Sequence, residues 1–410
     1  MNILSRAIGK TIDHLALERS LRILLITSLI VNLGDNLWVP LLGLYITNNL
    51  GVSTLMFGLM TTAQGLASSL TMLPSGFMSD LFGRKRIIIL SYIFSILSLG
   101  TLLFLNDLPF LFLASIFKGL STAFIEPSRS AYIIDLVSDE KRGKAFASLA
   151  LLQSLSSIIA TSVAGSIAVV LGFHWIFTVS LILTSISLVI TAFYLKESLN
   201  RDVVLATTSK ESLSIQLKNG LAILRSPSLL AVLLGIVFHQ MGIGIENPYL
   251  TIYAGNMLMF TLPTVSLMLG SEQLGVLVGH LPSGRIVDKY CGEISFAFHI
   301  LATSPTMILF TLAGNPFLAS STLFLWGLTF GLDNVSRQKL IPKYRARSGV
   351  ATAFGIVSLI AGTISLVSPA IGGWLWTAFS PQTVFYASAA VNALGSLPLF
   401  ILWFHNRDEK

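Results

Sequence analysis

Residues Leu73–Arg86 read LPSGFMSDLFGRKR, and residues Leu281–Tyr290 read LPSGRIVDKY. Leu-Pro-Ser-Gly, a three-residue gap and Asp recur in the same order, 281 − 73 = 208 positions apart. The same ungapped shift lays Pro40 on Pro248, Leu42 on Leu250, Tyr45 on Tyr253 and Asn48 on Asn256. It also lays Asp80 on Asp288, Gly119-Leu120 on Gly327-Leu328 and Ser128-Arg129 on Ser336-Arg337. Chance produces local agreement among apolar residues, but not paired Pro, Tyr, Asp and Arg in one register. The chain is read as a duplication, and each copy surrounds its motif with long apolar runs.

Of 410 residues, 53% are hydrophobic and 11% charged, against about a quarter charged in soluble domains. Too few polar residues remain to cover a water-facing surface, so lipid is the expected solvent. A hydrocarbon core takes about 20 apolar residues per helix. Runs of that kind lie at 22–49, 54–80, 86–106, 109–134, 144–171, 174–195, 228–255, 262–287, 293–313, 316–341, 347–376 and 381–404. They are continuous rather than alternating, which selects helices over a barrel. The expected fold is an all-α integral membrane protein with twelve transmembrane helices in two pseudo-symmetric six-helix bundles, 22–195 and 228–404. Residues 1–21 are expected as a cytoplasmic amphipathic segment, 196–227 as a cytoplasmic linker with a helix near 213–224, and 405–410 as a cytoplasmic tail. The first run is too long for a cleaved signal peptide and no A-x-A-like site follows it.

The net charge of +7 raises nucleic acid as a partner, and placement argues against it. No Lys or Arg falls in connections 48–53, 106–109, 171–175, 254–263, 313–317 and 378–382, whereas Arg84–Arg86, Lys141, Arg142, Lys144, Lys339 and Lys343 crowd the alternate ones. That is the positive-inside pattern, and it places both termini in the cytoplasm of a multi-pass cell-membrane protein. The lone Cys291 excludes an intramolecular disulfide. There is no GxxxxGK[ST] loop and no HExxH motif, and GIGIE at Gly242–Glu246 is a poor dinucleotide fingerprint inside a lipid-length run. No cofactor, metal or enzymatic activity is expected, and the chain is expected to work as a monomer.

GFMSDLFGRKR resembles the signature between the second and third helices of the major facilitator superfamily of secondary transporters, carried here by Gly76, Asp80, Gly83, Arg84, Lys85 and Arg86. The second copy matches at Gly284, Asp288 and Lys289, with Cys291 where Gly83 aligns. PSRSAYIIDLVSDEKRGKAFA at Pro127–Ala147 is also similar to the family's passage from the fourth helix to the fifth. The resemblance spans nearly the whole chain. It implies alternating access, with a substrate site between the halves and the signature as a latch for the outward-open state. Parallel repeats place such a site near the midplane. Gly76 is expected to let helices approach, and Asp80 to pair with Arg84 or with a neighbouring helix N-terminus. The chain departs from the pattern of the family's proton-coupled drug exporters. Ser115 stands where their fourth-helix Arg aligns, and SSIIATSVAGSIA in the fifth helix lacks their Pro. SPAIGG occurs instead at Ser368–Gly373.

Ionisable residues inside spans are expensive and mark function or a buried partner. Asp35 falls near the middle of the first helix, with Asn32 and Asn36 on its face by i, i+3/i+4 spacing. The fourth helix carries Lys118, Glu126 and Arg129 on one stripe, where Lys118 could bind an anion or neutralise a carboxylate. Arg129 matches Arg337, which favours a shared structural or gating role, and Asp333 lies one turn before Arg337. The seventh helix carries His239, Glu246 and Asn247, and the eighth Glu272. Glu246 aligns with Trp38 and Glu272 with Gln64, so both carboxyls are specific to one half. Desolvation in general favours the neutral form of a carboxyl group, which is what a proton-coupling site uses.

These residues support proton-coupled export of a small organic solute. Uptake of a polar metabolite or organic anion, with Lys118 as the anion site, is a second reading. A receptor-like protein without flux is a third. The bilayer, a small-molecule substrate and protons or another coupling ion are the expected partners.

Overall fold

A computed structural model describes residues 19–198, 226–344 and 350–408, and every long element among them is helical. In chain order these are α1 (Arg19–Asn49), α2 (Thr54–Phe82), α3 (Arg84–Phe104), α4 (Leu108–Leu136), α5 (Asp139–Leu171) and α6 (Phe173–Tyr194). The second half continues with α7 (Pro227–Asn256), α8 (Leu262–Tyr290), α9 (Gly292–Thr311), α10 (Pro316–Tyr344), α11 in two pieces (Val350–Ser365 and Ser368–Ala378) and α12 (Pro381–Asp408). Among the described residues, nine of these segments are long and apolar enough to cross a membrane. The other three, α2, α8 and α10, have the length but dilute it with Gly, Ser, Thr and charged residues. The expected N-terminal segment, apart from its last residues, and the linker helix lie outside the described residues.

The repeat is visible in the backbone. α1 leaves the α-helix at a 3-10 turn, Val39–Leu41, and α7 does so at Asn247–Tyr249. Pro40 and Pro248, one repeat apart, sit inside these turns. A proline has no N–H to donate and crowds the carbonyl four residues back, so the helix gives way there.

The two copies of the motif share a second feature. Gly83 has φ +104° and ψ 147°, and its repeat equivalent Cys291 has φ +68° and ψ 154°. Each residue joins two helices by a backbone shape that only glycine adopts without strain. The second copy has kept the shape and lost the glycine. Cys291→Gly is therefore expected to stabilise the protein by about 1–3 kcal/mol, read as a higher thermal unfolding midpoint in detergent. A lower midpoint would contradict the strain.

Packing groups the described residues into two compact units. One comprises 19–38, 67–160 and 174–198, with Leu21, Leu24, Ile88, Tyr92, Tyr132 and Ile133 at its centre. The other comprises 39–66, 161–173, 226–344 and 350–408, around Leu229, Val232, Phe296, Ile300, Leu340 and Leu399. In the second unit α8 and α10 press together through reciprocal glycines. A Cβ on Gly275 or Gly279 would strike the α10 backbone, and one on Gly327 or Gly331 would strike that of α8. Small residues are what allow helices to meet so closely in lipid, where no hydrophobic force drives them together. Gly327 lies against the Glu272 carbonyl, so this crossing fixes the turn that carries Glu272.

Candidate functional site

The first unit gathers the polar residues of α1. Lys118 Nζ donates to Asp35 Oδ1 at 2.6 Å and lies 5.4 Å from the centre of the Trp38 ring. Lys118 is only 8% exposed. A buried ammonium requires a counter-charge, and Asp35 supplies it, with the indole face adding cation–π attraction. One turn away, Asn36 Nδ2 donates to Asn32 Oδ1 at 2.9 Å. The same oxygen accepts from Ser156 Oγ at 2.7 Å and Ser157 Oγ at 3.1 Å, tying α1 to α5. The residues Asn32, Asp35 and Asn36 thus fall into two polar groups, Asp35 with Lys118 and Asn32 with Asn36, Ser156 and Ser157. Towards the basic end of α4, Arg129 Nη2 donates to Glu126 Oε1 at 2.6 Å, and Arg129 Nε is buried with no partner among the described residues.

The second unit holds the other carboxyls. Glu246 closes the main helix of α7 just before the break at Pro248 and is 1% exposed, its Oε2 buried with no partner among the described residues. Glu272 is 8% exposed and accepts from Gln273 Nε2 at 3.3 Å. Among the described residues neither carboxyl forms an ion pair. Asn247 follows Glu246 but is exposed, so it does not share that buried environment. His239 is fully buried and bonds to Asn392 and His299 rather than to any of these acids.

The motif residues sit at the basic ends. Arg84 pairs with Asp80, and its Nε reaches Asp135 Oδ2 at 3.2 Å. Glu197, not Asp80, takes the N-terminus of α3, accepting from Arg84 N at 2.8 Å, where a carboxylate meets the positive end of the helix dipole. In the second unit Asp288 is 79% exposed and pairs with Lys339 at 2.9 Å, while Arg337 Nε donates to Asp333 Oδ1 at 2.5 Å. The close helix approach expected of Gly76 is not made in this conformation: no described atom lies within 4 Å of a Cβ placed there or at Gly284.

Two arrangements here escape sequence reasoning. Lys343 and Tyr344, at the end of α10, bond to Glu293, at the start of α9. Lys343 is the repeat equivalent of Asp135, since 343 − 208 = 135, and Glu293 falls one residue from the equivalent of Arg84. The same corner is held in both halves by an ion pair of opposite polarity. A shift that matches identical residues does not register exchanged charges. At the other end of the second unit, Asn48 Nδ2 donates to Asn256 Oδ1 at 2.8 Å and Asn256 Nδ2 to Asn48 Oδ1 at 2.9 Å. Two residues one repeat apart thus hold each other by a reciprocal amide pair. Around them Leu44 packs on Gly255, and Ile252 on Gly43. Asn48→Asp with Asn256→Asp would set two carboxylates face to face, where like charges repel. Faster amide hydrogen exchange across Leu250–Asn256 is expected, and unchanged exchange would show that the clasp does not hold this end.

A helical membrane protein built of two sequence repeats, with polar clusters inside both halves and no energy-supplying domain among the described residues, has the architecture of a secondary transporter. The Major Facilitator Superfamily profile matches residues 24–290 and 232–410, and the chain belongs to that family. It is 24% identical over 369 residues to the multi-drug resistance efflux pump PmrA homolog of Lactococcus lactis subsp. lactis, covering 87% of each chain. It is 25% identical over 369 residues to multidrug resistance protein 2 of Bacillus subtilis, covering 88% of this chain and 89% of that one. Its fold is similar to the crystal structure of the nucleoside transporter NupG, with a TM-score of 0.76 at 16% identity over 94% of this chain and 99% of the other.

Proposed function

We propose that this secondary transporter exports small amphipathic organic cations in exchange for protons, by alternating access of two six-helix bundles whose termini both lie in the cytoplasm. The observation that carries this reading is the set of intramembrane acids: Asp35 opposite a single Lys118, and Glu246 and Glu272 buried with no cation of their own among the described residues. Buried carboxyl groups that can release a proton are suited to exchanging it for a cationic solute. Similarity to two multidrug efflux proteins over most of the chain supports export as the direction. Ser115 and the Pro-free α5 still separate this chain from the drug–proton exporter pattern, so proton exchange rests on the acids. The Lys-free and Arg-free connections on one side support the orientation.

Uptake of an organic anion needs Lys118 as a free cation. Its ammonium is engaged by Asp35 at 2.6 Å, which counts against that reading. A thermal-shift screen of the purified protein against lipophilic cations and organic anions tests the choice. Stabilisation by cations such as ethidium is expected, and it should persist in Glu246→Gln. Stabilisation by anions alone would favour uptake instead.

A further inference from the structure

We infer that His239 of α7 and His299 of α9 form a binding site for one extra proton, taken up at His299 Nδ1, with its charge shared across the Nε2–Nε2 hydrogen bond. The inference deepens the proton-exchange reading, on which it rests, by naming a place for a proton that is not a carboxyl group.

The two rings are fully buried, with Nε2 to Nε2 at 3.1 Å and their planes close to perpendicular. An N···N separation of that length holds one hydrogen. The neighbours determine where that hydrogen comes from. Asn392 Nδ2 donates to Ser388 O at 3.0 Å and Ser388 Oγ at 3.2 Å, so Asn392 presents its Oδ1 to His239 Nδ1, at 2.7 Å. That oxygen only accepts, so His239 carries its proton on Nδ1 and offers a lone pair at Nε2. His299 must therefore donate from its Nε2.

The other nitrogen of His299, Nδ1, lies 3.0 Å from Thr329 Oγ1. The threonine hydroxyl has one hydrogen and two places to send it: His299 Nδ1, or the Trp326 carbonyl at 2.9 Å. Directed at His299, it completes a neutral chain running Thr329 to His299 to His239 to Asn392, with every donor and acceptor met. Directed at Trp326, it leaves its oxygen free to accept from a protonated His299 Nδ1. The chain is then equally satisfied with one extra proton on the imidazole pair. Uptake of one proton at His299 Nδ1, with rotation of the Thr329 hydroxyl hydrogen towards Trp326, converts the first state into the second without moving a heavy atom. A second extra proton has no place, because it would set two N–H groups against each other.

Among the described residues, the charged groups facing the pair are Asp333 and Arg337, both on α10. Atoms of His239, His299 and Asp333 lie within 4.8 Å of one another, a spacing that also suits a metal ion. Charge decides between them. Arg337 already occupies Asp333 at 2.5 Å and stacks over Phe296 at 5.5 Å. A divalent ion would leave a net charge of +2 in this apolar corner, a proton +1. The proton comes from bulk water and returns to it.

The test counts protons and needs no substrate. Purified full-length protein in detergent is titrated potentiometrically from about pH 4 to about pH 9, the range that brackets an imidazole. Wild type is compared with the His239→Gln/His299→Gln variant, whose amides can still hydrogen-bond. The expected difference is one proton per chain. A difference of zero, from two rings that stay neutral, or of two, from independent rings, would overturn the site. If the variant does not fold, histidine-15N NMR of wild type reads the same point: one pair of Nε2 resonances should shift together with pH, and separate titrations would contradict sharing. A one-proton difference in a protein whose transport ignores a pH gradient would sink the proton-exchange function and leave this site standing.

Discussion

Asp35→Asn is expected to abolish proton-driven transport and to destabilise the protein at the same time. The substitution leaves the Lys118 ammonium buried without its counter-charge, at 8% exposure. Removing one member of a buried ion pair costs about 3–5 kcal/mol, so a lower unfolding midpoint alone says nothing about transport. The informative variant removes both charges. Asp35→Asn with Lys118→Met no longer buries an unpaired ion and is expected to recover most of the stability, because an apolar replacement for a buried pair is often neutral or better. It should not recover transport, since the ionisable group is gone. Pumping by the double variant would make the pair an element of packing only.

Glu246→Gln is expected to separate proton coupling from substrate movement. The amide keeps the shape of the protonated acid and cannot ionise, so the variant resembles one stage of the cycle permanently. Gradient-driven accumulation should fall about tenfold or more, the equivalent of about 1.4 kcal/mol, because a group that cannot ionise cannot exchange a proton. Downhill exchange of substrate should persist, because it does not require the proton to leave. Equal loss of both activities would place Glu246 in substrate binding, and loss of neither would remove it from the site. Its position just before the break at Pro248 explains why one residue could matter this much. A proton taken up there sits where α7 is least constrained by its own hydrogen bonds.

How far the sequence reveals these features depends on what kind of pattern each one leaves. Apolar runs of lipid length mark nine of the helical segments among the described residues, because a helix in lipid must satisfy its own backbone, while α2, α8 and α10 carry a more dilute signal. The duplication is legible wherever both copies keep the same residue, as at Pro40 and Pro248 or Asn48 and Asn256. It is illegible where the copies keep a function with different residues. Cys291 in the backbone shape of Gly83, and Glu293–Lys343 in place of Arg84–Asp135, need coordinates to be seen. Spacing within one helix reveals the patch of Asn32, Asp35 and Asn36, since three- and four-residue intervals share a face. Lys118 stands out in an apolar run, but its contact with Asp35, 83 residues away, is a tertiary fact. His299 and Asn392 do not stand out, because a single polar residue in an apolar run does not announce its partner. The packing of 39–66 and 161–173 with the second half is equally hidden, as the apolar run that makes a helix does not record which neighbour it meets.

A proton gradient is expected to drive solute movement through this protein. The most direct test is ethidium flux in proteoliposomes containing the purified chain, with a pH gradient imposed across the bilayer and no other energy source. Ethidium should move against its own gradient as protons run down theirs, and a protonophore should abolish the movement. Ethidium that only equilibrates, at the same rate with and without the pH gradient, would contradict that expectation.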